Sequence, residues 1–335
     1  MKALVVGGGI FGVTTAIELA KANVDTTLIE QNQDLMLGAT NVNQNRFHLG
    51  YHYPRSLATA KQCQEGIPSF KEYFDEALID VKENYYAISK NGSRVSFEQY
   101  IKFCEKLNLP HEEKFPANNI LNAREVSGCI SVKEQIIDLE KMKLIAKRLL
   151  KKTKVKVFLN RQFQIEDKNK FQIIVNATYS SLNRINQILN LPVKKYRYDI
   201  CNVPVLNLPK ELSGIGVTIM DGNFYSILPY SKTPYHLLWN VESSAVRSVS
   251  KYPPLNHSDK TANYKDSTYI PSMKNAKLID TLRVIKVLRP DVELSDERIT
   301  DLIDYGNGYF AILSAKLNTC VLTARRLVDT VKTRY

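Results

Sequence analysis

The stretch from Lys2 to Glu30, KALVVGGGIFGVTTAIELAKANVDTTLIE, constrains this chain more than any other. An apolar run, Ala3 to Val6, is followed at once by Gly7, Gly8 and Gly9, and then by Gly12. Apolar residues then recur at helical spacing (Val13, Ala16, Ile17, Leu19, Ala20), and a second apolar run, Thr26 to Ile29, ends on Glu30. The order is strand, G-x-G-x-x-G turn, helix, strand and acid, which is the context in which that glycine spacing binds a dinucleotide. Gly7 allows the tight strand-to-helix turn, Gly9 lets the backbone approach a pyrophosphate, and Gly12 lets the helix pack closely on the sheet. The pyrophosphate then sits on the helix N-terminus, where free N–H groups and the helix dipole favour negative charge. Glu30 can accept hydrogen bonds from a ribose with a free 2′-hydroxyl and disfavours a 2′-phosphate, so NADP is the least expected dinucleotide.

The 335 residues are enough for roughly two domains. No apolar run approaches the roughly eighteen residues of a membrane span, and the first strand starts at residue 2, so neither a span nor a signal peptide is expected. Cys63, Cys104, Cys129, Cys201 and Cys320 are scattered, odd in number and without a CxxC or Cys/His cluster. They read as reduced thiols of a cytoplasmic protein with no metal site. The net charge of +12 is concentrated in Lys141 to Lys156, where Met142, Leu144, Ile145, Leu149 and Leu150 keep helical spacing and the basic residues take the outer face. A solvated helix face, an anionic partner such as nucleic acid or lipid, and steering of an anionic substrate all fit. No aromatic-interleaved nucleic-acid module accompanies the charges, which favours the solvated face.

Further along, residues 57–76 read as helical with a break at Gly66-Ile67-Pro68, Asn84–Ser89 as a strand, Phe97–Leu107 as a helix and Cys129–Ile137 as a weak strand. Asp138 is a candidate N-cap for the basic helix. Lys154–Leu159, Phe163–Glu166 and Phe171–Asn176 read as strands. From about Tyr196 the texture turns β-rich (200–206, 214–220, 224–230, 235–242), which predicts a mostly antiparallel sheet. A helix is expected over Lys277–Leu288, stopped by Arg289-Pro290, and a strand Tyr309–Leu313, a loop Ser314–Thr319 and a final helix to about Val331 close the chain.

In these segments the chain resembles the D-amino-acid oxidase superfamily of FAD-dependent oxidoreductases, which includes glycine and sarcosine oxidases and 2-hydroxyglutarate dehydrogenases. Four patches carry the resemblance. VVGGGIFGVTTAIELA…TTLIE is similar to the site for the ADP half of FAD. GATNVNQNRFHLGYHYPRSLATAK (38–61) resembles the segment running along the pyrophosphate and ribityl chain, with Asn45, His48, Gly50, Tyr53 and Pro54 matching a hydroxyglutarate-dehydrogenase-like pattern and Arg46 departing from it. Lys154–Leu159 with Val175-Asn176-Ala177-Thr178 resembles an adenine-side strand and a V-N-A-[AT]-G run in which Tyr179 replaces the glycine. VLRP (287–290) and FAILSAKLNTCVLTARRLVDTV (310–331) resemble a Leu-Arg-Pro and a terminal strand–loop–helix facing the flavin pyrimidine ring, although this loop has no glycine. The resemblance implies an α/β fold (α+β overall): a discontinuous Rossmann-like FAD-binding domain of residues 1–80, 138–190 and 285–335, and an inserted, mostly antiparallel substrate domain of 81–137 and 191–284. It implies non-covalent FAD held by Gly7, Gly9, Ile10, Phe11, Gly12, Glu30, Gln31, Ala39, Thr40, Asn45, Arg46, Ala177, Thr178, Lys316, Leu317, Asn318 and Thr319. A histidyl–flavin bond through His48 is the lesser alternative.

Flavin oxidation of a C–H beside nitrogen or oxygen needs a base near neutral pH and a cation for an acid substrate. His48 and His52 are the candidate bases, His48 preferred for its His-x-Gly match. The resemblance implies Arg289 and Lys316 as candidate carboxylate ligands, with a helix-closing arginine and an exposed loop lysine as the plainer readings. Arg46 and Arg55 suit phosphate, substrate or ordinary ion pairs. Asp221 to Tyr230 resembles the strand pair near the substrate pocket, so Tyr225 and Tyr230 either line it or fill the core. The expected activity is hydride transfer from a CH–NH or CH–OH group of a small amino or hydroxy acid, or a conjugate of one, to flavin N5, with O2 or a quinone as acceptor. Alternatives are a non-redox flavoprotein resembling a sugar-nucleotide mutase, and a non-catalytic dinucleotide- or nucleic-acid-binding protein.

Overall fold

The computed structural model of the chain describes residues 1–222, 225–240, 245–254, 263–290, 292 and 294–335. Its helices are α1 (Ile10–Lys21), α2 (Leu57–Phe74), α3 (Phe97–Lys106), α4 (Leu139–Lys152), α5 (Leu182–Ile188) and α6 (Cys320–Arg334). Its strands are β1 (Lys2–Val6), β2 (Asp25–Ile29), β3 (Leu78–Ile79), β4 (Glu83–Ser89), β5 (His111–Glu113), β6 (Val126–Val132), β7 (Ile136–Ile137), β8 (Lys156–Phe158) and β9 (Ile173–Asn176). They continue with β10 (Tyr196–Asn207), β11 (Ile215–Met220), β12 (Tyr225–Pro229), β13 (His236–Asn240), β14 (Ala245–Ser250), β15 (Lys277–Leu288), β16 (Asp301–Asp304) and β17 (Tyr309–Leu313).

Among the described residues, six strands form one sheet in the order β16-β17-β9-β1-β2-β8. All its pairings are parallel except that of β16 with β17. Such a sheet needs cover on both faces. Residues of α1, α4 and α6 cluster with Ala3, Val5, Ile173 and Val175 on one side. Ile185 and Leu189 pack with Leu4, Val6 and Ile174 on the other. β1 and β9 are accordingly apolar on both faces.

A second sheet runs β14-β10-β13-β12-β11-β4-β6-β5, with β15 also paired to β10. Its pairings are antiparallel except β11 with β4. The mixed α/β architecture with a mostly antiparallel second sheet is the expected one.

Three local expectations are corrected. Lys277–Leu288 is a strand, not a helix. Its leucines, valines and isoleucines satisfy either period, and pairing along β10 from Arg197↔Leu288 to Asn207↔Lys277 decides for the strand. Helix α2 runs unbroken through Gly66 and Pro68. Gly66 serves close packing, since a Cβ there would stand 2.5 Å from the Asn318 carbonyl oxygen. Phe163–Glu166 is not a strand, because a short 3-10 turn occupies Ile165–Lys170, where Asp167 accepts from the Gln164 N–H and pairs with Arg161 at 2.6 Å. Asp138 caps α4, accepting from the Lys141 N–H. The basic face of α4 is tied locally: Lys143 and Lys147 to Asp34, and Lys141 and Arg148 to Glu76.

Candidate active site

One cavity of about 650 Å³ runs from the Gly7 turn to residues of the second sheet, within the size range of small-molecule and cofactor sites. At its first end the lining includes Gly7 and Gly9. Gly7 adopts φ +107°, and a Cβ there would stand 2.8 Å from the Ala177 carbonyl oxygen. A Cβ on Gly12 would stand 1.9 Å from the Gly7 oxygen, so α1 can abut the turn only with glycine there. Helix α1 begins after Gly9 with no acid in its first turn, leaving its positive end unopposed by its own side chains. Thr40 Oγ1 accepts from the Ile10 N–H at 3.1 Å. Glu30, at the end of β2, is buried, and its carboxylate accepts from the Gly8 N–H at 2.6 Å and from Asn32. Its Oε2 keeps one lone-pair site for a ribose hydroxyl. Gln31, Ala39, Thr40, Arg46, Ala177, Thr178, Lys316 and Leu317 line the same cavity, as do Gly7, Gly9 and Phe11. These residues fit FAD: no Cβ obstructs the turn, a helix end stands ready for phosphates, and a buried acid stands at the ribose end.

Tyr179 takes φ 55°, the left-handed conformation a glycine would adopt without cost. Its hydroxyl accepts from the Val287 N–H at 2.9 Å, which ties this turn of the first sheet to β15 of the second.

At the other end the surface is charged. Residues 45–47 pair with the segment 135–137: the Phe47 N–H donates to Gln135 at 3.0 Å and the Ile137 N–H to Asn45 at 2.6 Å. This fixes the loop carrying His48 and His52, whose rings lie 5.7 Å apart, with Tyr53 5.6 Å from His48 and 5.2 Å from His52. Burial pushes both imidazoles well below the ordinary value of 6.5, and the charges of Lys316, Arg46 and Lys286 add to it, so both are neutral near pH 7. His48 Nδ1 is buried without a hydrogen-bond partner among the described residues.

Beneath the loop, Arg46 pairs with Glu134 at 3.0 Å, donates to Thr218 at 2.8 Å and bonds the Tyr86 hydroxyl, while the Leu49 N–H donates to Glu134 at 2.9 Å. Both side chains are almost wholly buried. Removing one partner of such a pair typically costs ~3–5 kcal/mol.

Lys316 Nζ lies 4.4 Å from the Tyr53 ring centroid and Lys286 Nζ 3.2 Å from that of Trp239. Loss of bulk water lowers Lys316 to about 7 and Lys286 to about 8. Arg298 pairs with Asp296 at 2.8 Å.

Not every expected residue meets the cavity. Arg289 is half exposed and bound to Asp301 and Glu297. The Tyr225 hydroxyl donates to the Asp266 carbonyl at 2.9 Å within the core of the second sheet. Ile10, Gly12 and Asn45 lie behind the lining. Asn318 clamps the terminal loop, donating to the carbonyls of His48 and Cys63, both at 2.9 Å, and Thr319 bonds Thr300 at 2.9 Å. Arg55 pairs with the buried Asp221 at 2.7 Å. Of the 221–230 segment, Asn223 and Phe224 lie outside the described residues. Lys286, Trp239, Arg298, Asp296 and Glu134 were not among the expected residues. With period two, Lys286 shares a face of 277–288 with Leu282, Val284 and Leu288, but so does Asp280, and the pattern does not single it out. Glu134 carries no local signal.

A profile of the family described as FAD dependent oxidoreductase (DAO) matches residues 2–242. The FAD-dependent monooxygenase kojA of Aspergillus flavus is 29% identical over 248 residues, which are 67% of this chain and 57% of that protein, so the chain spans less than two thirds of that relative's length. The mitochondrial L-2-hydroxyglutarate dehydrogenase of Caenorhabditis briggsae is 34% identical over 82 residues, 24% of this chain and 19% of that one. The crystal structure of glycine oxidase from Geobacillus kaustophilus superposes with a TM-score of 0.74 over 99% of this chain and 95% of that one, at 13% identity, which bears on the fold alone. Among the described residues no helix is long and apolar enough to cross a membrane. With its glycine turn, its cavity and a family profile matching well over half its length, the chain belongs to the FAD-dependent oxidoreductases of the DAO family.

Proposed function

We propose that this oxidoreductase removes a hydride equivalent from the CH–NH or CH–OH carbon of a small amino or hydroxy acid, or a conjugate of one. When bound, the flavin supplies the two-electron acceptor at N5. The observation that carries the reading is the neutral His48–His52 pair, held in the cavity that begins at the glycine turn. A neutral imidazole can take the proton from the substrate hydroxyl or ammonium as the C–H is lost. His48 is the assigned base, since Asn318 and Glu134 together hold the peptide that follows it, at the His48 carbonyl and the Leu49 N–H. Tyr53 and Trp239 narrow the chamber and limit water around the reacting carbon. Gly7, Gly9, Glu30 and Thr40 would hold the ADP half of FAD, and Lys316 and Leu317 the flavin end, without a covalent bond. The division into an FAD-binding domain (1–80, 138–190, 285–335) and a substrate domain (81–137, 191–284) belongs to the same reading. The two sheets support it, with residues 285–288 falling in the second sheet.

The test is anaerobic mixing of the FAD-loaded protein with a panel of small amino and hydroxy acids. Bleaching of the flavin band, with the product lacking two hydrogens, is expected. No bleaching by any member, or a product that gains one oxygen atom only when O2 is admitted, would refute it.

A further inference from the structure

Arg289, the expected ligand for a substrate carboxylate, is engaged outside the cavity by Asp301 and Glu297. An acid substrate therefore needs another cation. Two ammonium groups line the cavity, Lys286 from β15 and Lys316 from the terminal loop. Among the described residues, neither lies within ion-pair distance of a carboxylate. The nearest candidates are committed: Asp296 to Arg298 at 2.8 Å, and Asp199, opposite Lys286 on β10, to Arg197 through two bonds of 2.9 and 3.0 Å. A partly buried, unpaired cation is costly unless an anion completes it. The two lysines differ in setting. Lys316 stands on the loop before α6, on the side of the first sheet, with Tyr53 beneath it. Lys286 belongs to the second sheet and rests on Trp239, the only tryptophan of the chain.

We propose that Lys286, lying on the Trp239 ring, is the seat of the substrate's carboxylate and the residue that selects acids over neutral amines and alcohols. The proposal rests on the reading of this cavity as an acid-oxidising site. Lys316 is left to the flavin end. The lysine supplies a point charge and the indole a flat apolar floor, which suits a planar carboxylate on a short carbon chain. Groups that face Lys286 are Asp199 and Cys201 on β10, Arg298, and the His48, His52 and Lys316 cluster. Burial brings its titration to about 8, so the seat is charged below that pH and empties of charge above it.

The FAD-loaded protein is titrated with acetate, succinate and inorganic phosphate at fixed ionic strength, following the flavin visible spectrum and the emission of Trp239. Saturable binding of the two carboxylates is expected, about tenfold weaker at pH 9 than at pH 7. Lys286→Met should weaken it about tenfold or more and raise KM without an equal fall in kcat, while Lys286→Arg restores binding. FAD content and melting temperature of each variant establish that it is folded. Unchanged carboxylate affinity in Lys286→Met, or loss caused by Lys316→Met instead, overturns the assignment. So does phosphate binding more tightly than both carboxylates. Acids that reduce the flavin of Lys286→Met with unaltered KM sink this assignment alone. Carboxylate binding that depends on Lys286, with no acid reducing the flavin, sinks the proposed function alone.

Discussion

The two ends of the cavity are built on opposite terms. At the glycine turn the cavity wall includes Gly7 and Gly9, and that part of it is open because side chains are missing, with the Glu30 carboxylate beside it. At the histidine end it is side chains from separated segments: 46–53 and 316 on one side, Trp239 and Lys286 of the second sheet on the other, with Glu134 behind. The first surface is a matter of local conformation. The second is a balance of charges, each held by its neighbours, so one loss alters several groups. On the proposed function, holding the cofactor and doing chemistry should therefore be separable by substitution.

The sharpest break would come at His48. His48→Asn should lower the rate of anaerobic flavin reduction by roughly 10²–10⁴-fold while FAD content stays that of the unmodified protein. Loss of FAD in step with activity would mean that the two ends are not independent. At the other end, Gly12→Ala places a methyl where only 1.9 Å separates it from the Gly7 oxygen. A cost of about 1–3 kcal/mol is expected, read as weaker FAD retention on dilution and a lower melting temperature, with the rate per bound flavin preserved.

Acid should strain the histidine end selectively. The folded pKa of His48 lies below its unfolded value, so below about pH 6.5 the unfolded chain binds a proton that the folded chain refuses. Stability is then full above about 6.5 and falls as pH drops towards the folded value, by up to about 1.4 kcal/mol per pH unit for each such group. Urea midpoints between pH 7 and 5 should fall less steeply in His48→Asn. The smallest effect is expected from Arg289→Ala. An exposed ion pair contributes ~0–1 kcal/mol, and flavin reduction should stay within about twofold. A large fall in kcat/KM there would move the carboxylate seat back to Arg289.

The glycine turn, its helix and Glu30 were legible because every requirement lies within thirty residues and each glycine answers a local need. The two-sheet architecture and His48 followed from patterns of similar range. The apolar residues of Lys277–Leu288 suit both periods, and only β10, about eighty residues earlier, selects the strand. The partners that complete the charged end could not be read in this way. Nothing near Arg46 in sequence announces Glu134, and nothing near Trp239 announces Lys286. Sequence alone determined the class of ligand, because the glycine turn depends on neighbours along the chain. Which cations line the cavity was decided by tertiary structure, because charges act through space and burial sets their strength.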